Sequence, residues 1–213
     1  MSENNSPDSP EEINALAAEY GLQLSDQDIA FLGRFLDVLF EANTRMNLTR
    51  IVDRKQAWTR HMLDSLSVLP FLEACQAQNM LDLGAGGGFP GMPVAIVRPD
   101  LPVTLLEATG KKARFLADAV TDLSLENVTV LSERAETLGS PEGGGRFAWD
   151  VVTARAVGPM RVLLELALPL VVEGGYLIAI KGERAGEEIE AATKALRTLN
   201  ATVEKTHRTP SGT

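Results

Sequence analysis

The sequence predicts an α/β fold, with a parallel sheet covered by helices on both faces and a helical extension at the N-terminus. Three observations predict it. The first third of the chain repeats apolar residues at helical spacing. From about Asn79, short apolar runs alternate with longer helical stretches, the rhythm of strand–helix–strand units. A glycine-rich stretch, "MLDLGAGGGFPG" at 80–91, closes the first of those runs.

Residues 1–10 are expected to form a disordered tail, polar and without periodicity over 1–8. Ser9-Pro10-Glu11-Glu12 has the serine, proline and glutamate of a helix start, and Gly21 ends that helix. Ser25 and Asp28 repeat the capping pattern ahead of Ile29, Leu32, Phe35, Leu36, Leu39 and Phe40. Asp53 and Gln56 open a third helix, with Trp58, Met62, Leu63, Leu66 and Leu69 on one face and Pro70 near its end. These elements make a helical region over 11–75. The body, 76–213, has strand-like runs at Met80–Leu83, Val103–Leu106, Val128–Leu131, Val151–Thr153 and Tyr176–Ile180. Helices are expected at Met92–Val97, Lys111–Leu123, Met160–Val171 and Ala185–Leu199.

Composition narrows the setting. The chain has 213 residues, 45% hydrophobic and 23% charged, ordinary for a globular protein. No apolar run is long enough to span a membrane, and the N-terminus lacks the basic-then-apolar order of a signal peptide. Cys75 is the single cysteine, which rules out an intrachain disulfide and cysteine-built metal clusters. No metal is expected, and a cytoplasmic setting is. The net charge of −9 argues against a generic nucleic-acid binder. The charge is uneven, however. Residues 1–40 hold eight acids against one base, whereas residues 41–61 hold Arg45, Arg50, Arg54, Lys55 and Arg60 against Glu41 and Asp53.

The glycine stretch sits at the carboxyl end of the first strand, where open parallel sheets bind ligands. Gly86, Gly88 and Gly91 match a dinucleotide spacing, a weak signal alone. Two residues oppose a dinucleotide. Pro90 has no N–H to give where a phosphate-binding helix should donate. Asp82 places a negative charge beside a pyrophosphate. Both objections reverse for S-adenosylmethionine, which carries a sulfonium and an ammonium and no phosphate. Gly84, Gly86 and Gly88 then lie against its methionine portion, with Asp82 at the edge. Glu107, 21 residues after Gly86, ends the second strand, where a carboxylate can accept hydrogen bonds from both ribose hydroxyls. The plainer reading makes the glycines a tight turn only; five in eight residues exceed what a turn demands. For Asp82, bracing the loop or capping the helix stands level with ligand contact.

The chain also carries "MNLTRI" (46–51), "RHMLDSL" (60–66), "LDLGAGGGFPGMPVAIVRP" (81–99), "LLEATGKKARFL" (105–116), "RAE" (134–136), "TARAV" (153–157) and "IKG" (180–182), in that order. This set closely resembles the bacterial RsmG family, also called GidB. Those proteins are small-subunit ribosomal RNA methyltransferases that make 7-methylguanosine in the 530 loop of 16S RNA. The resemblance implies a Rossmann-like class I methyltransferase sheet binding S-adenosylmethionine. It implies donor contacts from Gly84, Phe89, Ala135, Glu136 and Arg155, with Glu107 on the ribose. Lys111, Arg134 and Lys181 match recurring basic positions facing RNA phosphate. Asn47, Arg60 and His61, in the helical region, would form one wall of the RNA cleft. The family adds a last antiparallel strand after a segment like "HRTPSGT"; that strand is expected to be missing here. A monomer acting on the small ribosomal subunit is the expected assembly.

Arg155 follows the fourth apolar run and should emerge at the active edge. It is the one residue assigned a catalytic role, orienting the donor or donating to guanine O6. Its plainer role is an ion pair bracing the loop. Arg60 and Asp64 are spaced for a helical ion pair, and His61 shares a face with Ser65. No Asn/Asp-Pro-Pro-aromatic element or Pro-Cys nucleophile is present, consistent with attack by a ring nitrogen that needs no base. Three alternatives remain: a small-molecule methyltransferase, a nicotinamide dehydrogenase, and a catalytically silent RNA-binding module.

Overall fold

The computed structural model describes residues 9–212. The expected disorder of residues 1–8 lies outside them, and the tail boundary at residue 10 falls on the first residue of a helix. Helix α1 (Pro10–Glu19) starts on its proline, and the Ser9 side chain makes no cap hydrogen bond. Helix α2 (Asp26–Asn43) has the expected reciprocal cap. Ser25 Oγ accepts from the Asp28 N–H at 3.1 Å, and Asp28 Oδ2 accepts from the Ser25 N–H at 3.0 Å. Asp53 caps α3 (Arg54–Ala57), its Oδ1 accepting from the Gln56 N–H at 2.8 Å.

The single third helix expected from the sequence is instead a broken run. From α3 the chain widens into a π-helical segment, Trp58–Leu63, and then α4 (Asp64–Leu66). Pro70 does not end this run. It lies in the first turn of a new helix, α5 (Leu69–Ala74), where its missing N–H leaves no bond unmade.

The body alternates as expected. In chain order it comprises β1 (Met80–Leu83), α6 (Gly91–Val97), β2 (Val103–Leu106), α7 (Gly110–Asp122) and β3 (Val128–Leu131). Then follow α8 (Ala135–Leu138), β4 (Trp149–Arg155), α9 (Met160–Ala167), β5 (Val171–Ile180), α10 (Ala185–Ala191) and α11 (Thr193–Thr198). Helix α8 is not expected from the sequence, and two expected helices end differently. The stretch Met160–Val171 stops at Ala167 because Pro169 has no N–H to continue an α-helix; a 3₁₀ turn follows and Val171 joins β5. The stretch Ala185–Leu199 breaks at Ala192.

The sheet order is β3-β2-β1-β4-β5, every pair parallel. Among the described residues no antiparallel strand joins it, and β5 stands at an edge. Leu83 pairs with Leu106 and with Ala154, and Leu106 pairs with Leu131, so the carboxyl ends of four strands are level. The chain leaves β1 toward β2 and later returns to β4 on its other side. This makes the β1/β4 edge the switch point where such sheets bind ligands.

Alternation along β1 divides the core. Met80 faces the cluster built from α2, α6, α7 and the π-helical run, with Phe35, Leu36, Trp58, Met62 and Met92 all fully buried. Leu81 and Leu83 face the opposite cluster, with Leu138, Leu163, Ala167 and Leu170. Trp58 and Phe35 are therefore core, as their spacing implied, and the helical head is welded to one face of the sheet. After α11 the chain returns to that head. The His207 ring meets Phe71 edge-on at 5.9 Å, and Thr209 and Ser211 reach Asp64. No helix of the described residues is long and apolar enough to cross a membrane.

Candidate active site

The glycine loop leaves β1 by bonding to its neighbour. The Gly84 and Ala85 N–H groups both donate to the Leu106 carbonyl, at 2.8 and 3.1 Å. Two glycines are required by contact. At Gly88, φ is +97°, and a Cβ would stand 2.9 Å from Phe35 Cζ. At Gly91 a Cβ would meet Leu105 Cδ2 at 2.2 Å and Asp82 Oδ2 at 2.9 Å.

The start of α6 has no N–H to spare. Pro90 and Pro93 have none. The Gly91 N–H donates to Asp82 Oδ2 at 2.8 Å, and the Met92 N–H to the Gly88 carbonyl at 2.8 Å. A diphosphate seated on a helix start depends on such groups being free. This start cannot serve one.

Asp82 lies beneath the loop. Strand alternation turns its side chain to the Met80 face, beneath α6, and it is 0% exposed. It takes the bracing role that the sequence leaves level with ligand contact: Oδ2 holds Gly91, and Oδ1 accepts from Thr153 Oγ1 at 3.2 Å. Burial pushes its carboxyl from 3.8 up to about 7, against the lowering effect of these two hydrogen bonds. Between those values the folded chain holds a proton that the unfolded chain has lost. This group's contribution to stability therefore falls as pH rises from about 4 to about 7. His61 works in the opposite sense. Burial first, then the Arg155 charge, lowers it from 6.5 to about 4, so it costs stability as pH falls through that window. Asp82→Asn is expected to lose thermal stability more steeply than the wild type on acidification from about pH 7 to about pH 5. Parallel melting curves across that range would contradict the assignment.

Glu107 directly follows β2, near where the spacing put it, and is 6% exposed. Its Oε2 accepts from the Gly86 N–H at 2.9 Å and its Oε1 from the Thr109 N–H at 2.7 Å. The carboxylate clasps the loop, and each oxygen keeps further acceptor capacity.

Phe89 also departs from expectation. Its ring turns into the head, stacked on His61 with centroids 4.4 Å apart and tilted against Phe35 at 5.6 Å. Only its backbone stays with the loop. His61 is accordingly buried, with Nε2 2.7 Å from Thr49 Oγ1, and its depressed pKa keeps it neutral. It forms a junction between head and loop and brings no charge to an RNA phosphate. Its partner is Thr49, while the buried Ser65 hydroxyl has no hydrogen-bond partner among the described residues.

Arg155 emerges at the carboxyl end of β4, as predicted, and its side chain is 19% exposed. Nη2 donates to the Arg60 carbonyl at 2.6 Å and lies 3.6 Å from Asp64 Oδ2. Asp64 thus serves Arg155, where sequence spacing paired it with Arg60. The π-helical winding has more residues per turn, which removes the i,i+4 alignment. The Arg60 side chain stays exposed.

The remaining candidates separate. Ala135 is buried at the start of α8, with Glu136 and Arg134 exposed beside it, and Lys111 is exposed in the first turn of α7. These residues flank the carboxyl ends of β3 and β2. Asn47 is exposed after α2, where Asn43 makes the turn by accepting from the Leu48 and Thr49 N–H groups at 2.9 and 3.0 Å. A Cβ on Gly87 would lie 3.4 Å from the Leu48 carbonyl, so this turn rests on the glycine loop. Lys181 is a correction. Its side chain is 7% exposed, and Nζ is held by Glu188 Oε2 at 2.8 Å and the Gly158 carbonyl at 2.5 Å. It closes the loop after β4 and presents no free charge to RNA. Arg155, Gly158, Lys181 and Glu188 line a cavity of about 340 Å³ at the β4/β5 ends. Sequence reasoning gave no role to Glu188, Thr153, Thr209 or Ser211. Thr153, in an apolar strand run, carried the one available signal.

Comparison with known proteins agrees with this geometry. The model of the GidB family, rRNA small subunit methyltransferase G, matches residues 28–212. The ribosomal RNA small subunit methyltransferase G of Sorangium cellulosum is 46% identical over 204 residues, 95% of this chain and 84% of that protein. The Bacillus subtilis protein of the same name is 38% identical over 197 residues, 92% and 82% of the two chains. Among solved structures, cofactor-bound Rv0187 from MTB matches with a TM-score of 0.56 at 24% identity, over 90% of this chain and 84% of that one. A SAM-dependent methyltransferase from Aquifex aeolicus matches at 0.54 and 17% identity, over 70% and 87%. These two likenesses concern the fold. Matched along most of its length by the family model and by relatives of such identity, the chain belongs to the GidB family, rRNA small subunit methyltransferase G.

Proposed function

We propose that this chain transfers a methyl group from S-adenosylmethionine to N7 of a guanine in the 530 loop of 16S ribosomal RNA. The observation that carries the reading is the start of α6, whose N–H groups are absent or already bonded. The residues fit S-adenosylmethionine. Glu107, clasping the glycine loop at the end of the sheet, keeps acceptor capacity for ribose hydroxyls, and no helix N–H calls for an anion. When bound, that molecule supplies an electrophilic methyl carbon on a sulfonium.

The chain's own part is positioning and electrostatics. Guanine N7 already presents a lone pair, so no residue has to remove a proton. Arg155, which lines the β4/β5 cavity, is the catalytic residue of this reading, its proposed role to donate to guanine O6. Lys111, Arg134 and Arg60 are the exposed cations left to meet RNA phosphate, together with Arg50 and Lys55 on the head. The net charge of −9 supports the assembled small subunit, over free RNA, as acceptor; the setting proposed is the cytoplasm and the acting species a single copy of the chain.

The test is methyl transfer to purified small subunits from cells lacking this protein, followed by mass mapping of the RNA. One methylated guanine in the 530 loop is expected. No incorporation would favour a small-molecule acceptor, and equal methylation of protein-free RNA would contradict the subunit as substrate.

A further inference from the structure

We propose that Asp64 is a positioning residue for Arg155, fixing its guanidinium from the helical head at the carboxyl end of β4. The inference rests on the reading of Arg155 given above and adds the group that aims it.

Asp64 is completely buried, and Arg155 is half-buried, its side chain 19% exposed. The carboxylate is itself held in one orientation. Its Oδ1 accepts from Ser211 Oγ at 2.5 Å and from Thr209 Oγ1 at 3.2 Å, which leaves Oδ2 facing Arg155 Nη2 at 3.6 Å. The Arg60 carbonyl takes the same Nη2 at 2.6 Å. The Phe89 ring lies 5.9 Å from the guanidinium carbon. Three groups of the head and loop therefore act on one side of the guanidinium. Nη1, buried as well, has no hydrogen-bond partner among the described residues. A buried donor left unmade is costly, and a fork with one nitrogen pinned and the other unused is set to receive an acceptor. Asp64 belongs to a helix of the head and Arg155 to the sheet, so the pair fixes the arginine relative to both. The plainer role for Asp64 is to pin the 209–211 segment, with Arg155 a bystander.

Asp64→Asn, Arg155→Ala and the double variant separate these roles, read by kcat and KM on small subunits, S-adenosylhomocysteine calorimetry and thermal melts. Arg155→Ala is expected to lower kcat about 100-fold, and Asp64→Asn about tenfold with little change in S-adenosylhomocysteine affinity. In the Arg155→Ala background, Asp64→Asn should cost nothing further. Losses that multiply in the double variant, or an unchanged kcat in folded Asp64→Asn, overturn the inference alone. An unchanged kcat in Arg155→Ala overturns the reading of Arg155 and this inference with it. Should Asp64→Asn fail to fold, Ser211→Ala keeps the charge and loosens its aim. A kcat loss that vanishes in the Arg155→Ala background then supports the pair, and an independent loss overturns it.

Discussion

Phe89→Ala is expected to lower the unfolding free energy by about 3–5 kcal/mol, the range for emptying a buried aromatic site. The ring is 8% exposed and wedged between Phe35 and His61. Both neighbours belong to the helical head, whereas the Phe89 backbone belongs to the glycine loop. Removing the ring therefore opens a void at the junction and also frees the loop from the head. His61 loses the stack that buries it, so its pKa should climb from about 4 back toward 6.5. Chemical denaturation, with an NMR titration of His61, checks both effects. A loss under about 1 kcal/mol with an unmoved histidine would show that the head and loop are not coupled through this ring.

Glu107→Gln is expected to weaken S-adenosylhomocysteine binding by at least tenfold while leaving most of the stability in place. The carboxylate accepts from two backbone N–H groups, Gly86 and Thr109, one on each oxygen. An amide of the same shape presents an NH₂ to one of them, a donor facing a donor. A hydrogen bond to a charged acceptor contributes about 1.5–3 kcal/mol, so both the loop's clasp and the bonds offered to ribose weaken together. Calorimetry against the wild type reads the affinity, and a melt confirms the fold. Unchanged affinity would remove Glu107 from the donor site.

The sequence was most legible where neighbours in the chain decide the outcome. β1, β2 and β3 span the expected residues because strands buried on both faces read as short apolar runs. The Ser25 cap is legible for the same reason, since both partners lie within one turn. Glycine spacing marked the tight turn after β1, and Glu107 stands beside it, bonded to the Gly86 N–H. What remained hidden depends on groups far apart in sequence. His61 is silenced by Phe89, 28 residues on; Lys181 is silenced nearer by, through Glu188 across the turn from β5 into α10. Asp82 was legible in part. Alternation in β1 sets it with Met80 under α6, which favours bracing over ligand contact. The Asp64–Arg155 pair joins residues 64 and 155 through a π-helical turn that helical spacing does not anticipate.

One titration tests most directly whether the cleft beside β1 suits a cationic methyl donor and not a diphosphate. The purified chain is titrated by calorimetry with S-adenosylhomocysteine and, separately, with NADH. Saturable one-to-one binding of S-adenosylhomocysteine with no heat from NADH is the expected result. NADH binding at the same site, displaced by neither S-adenosylhomocysteine nor S-adenosylmethionine, would contradict it.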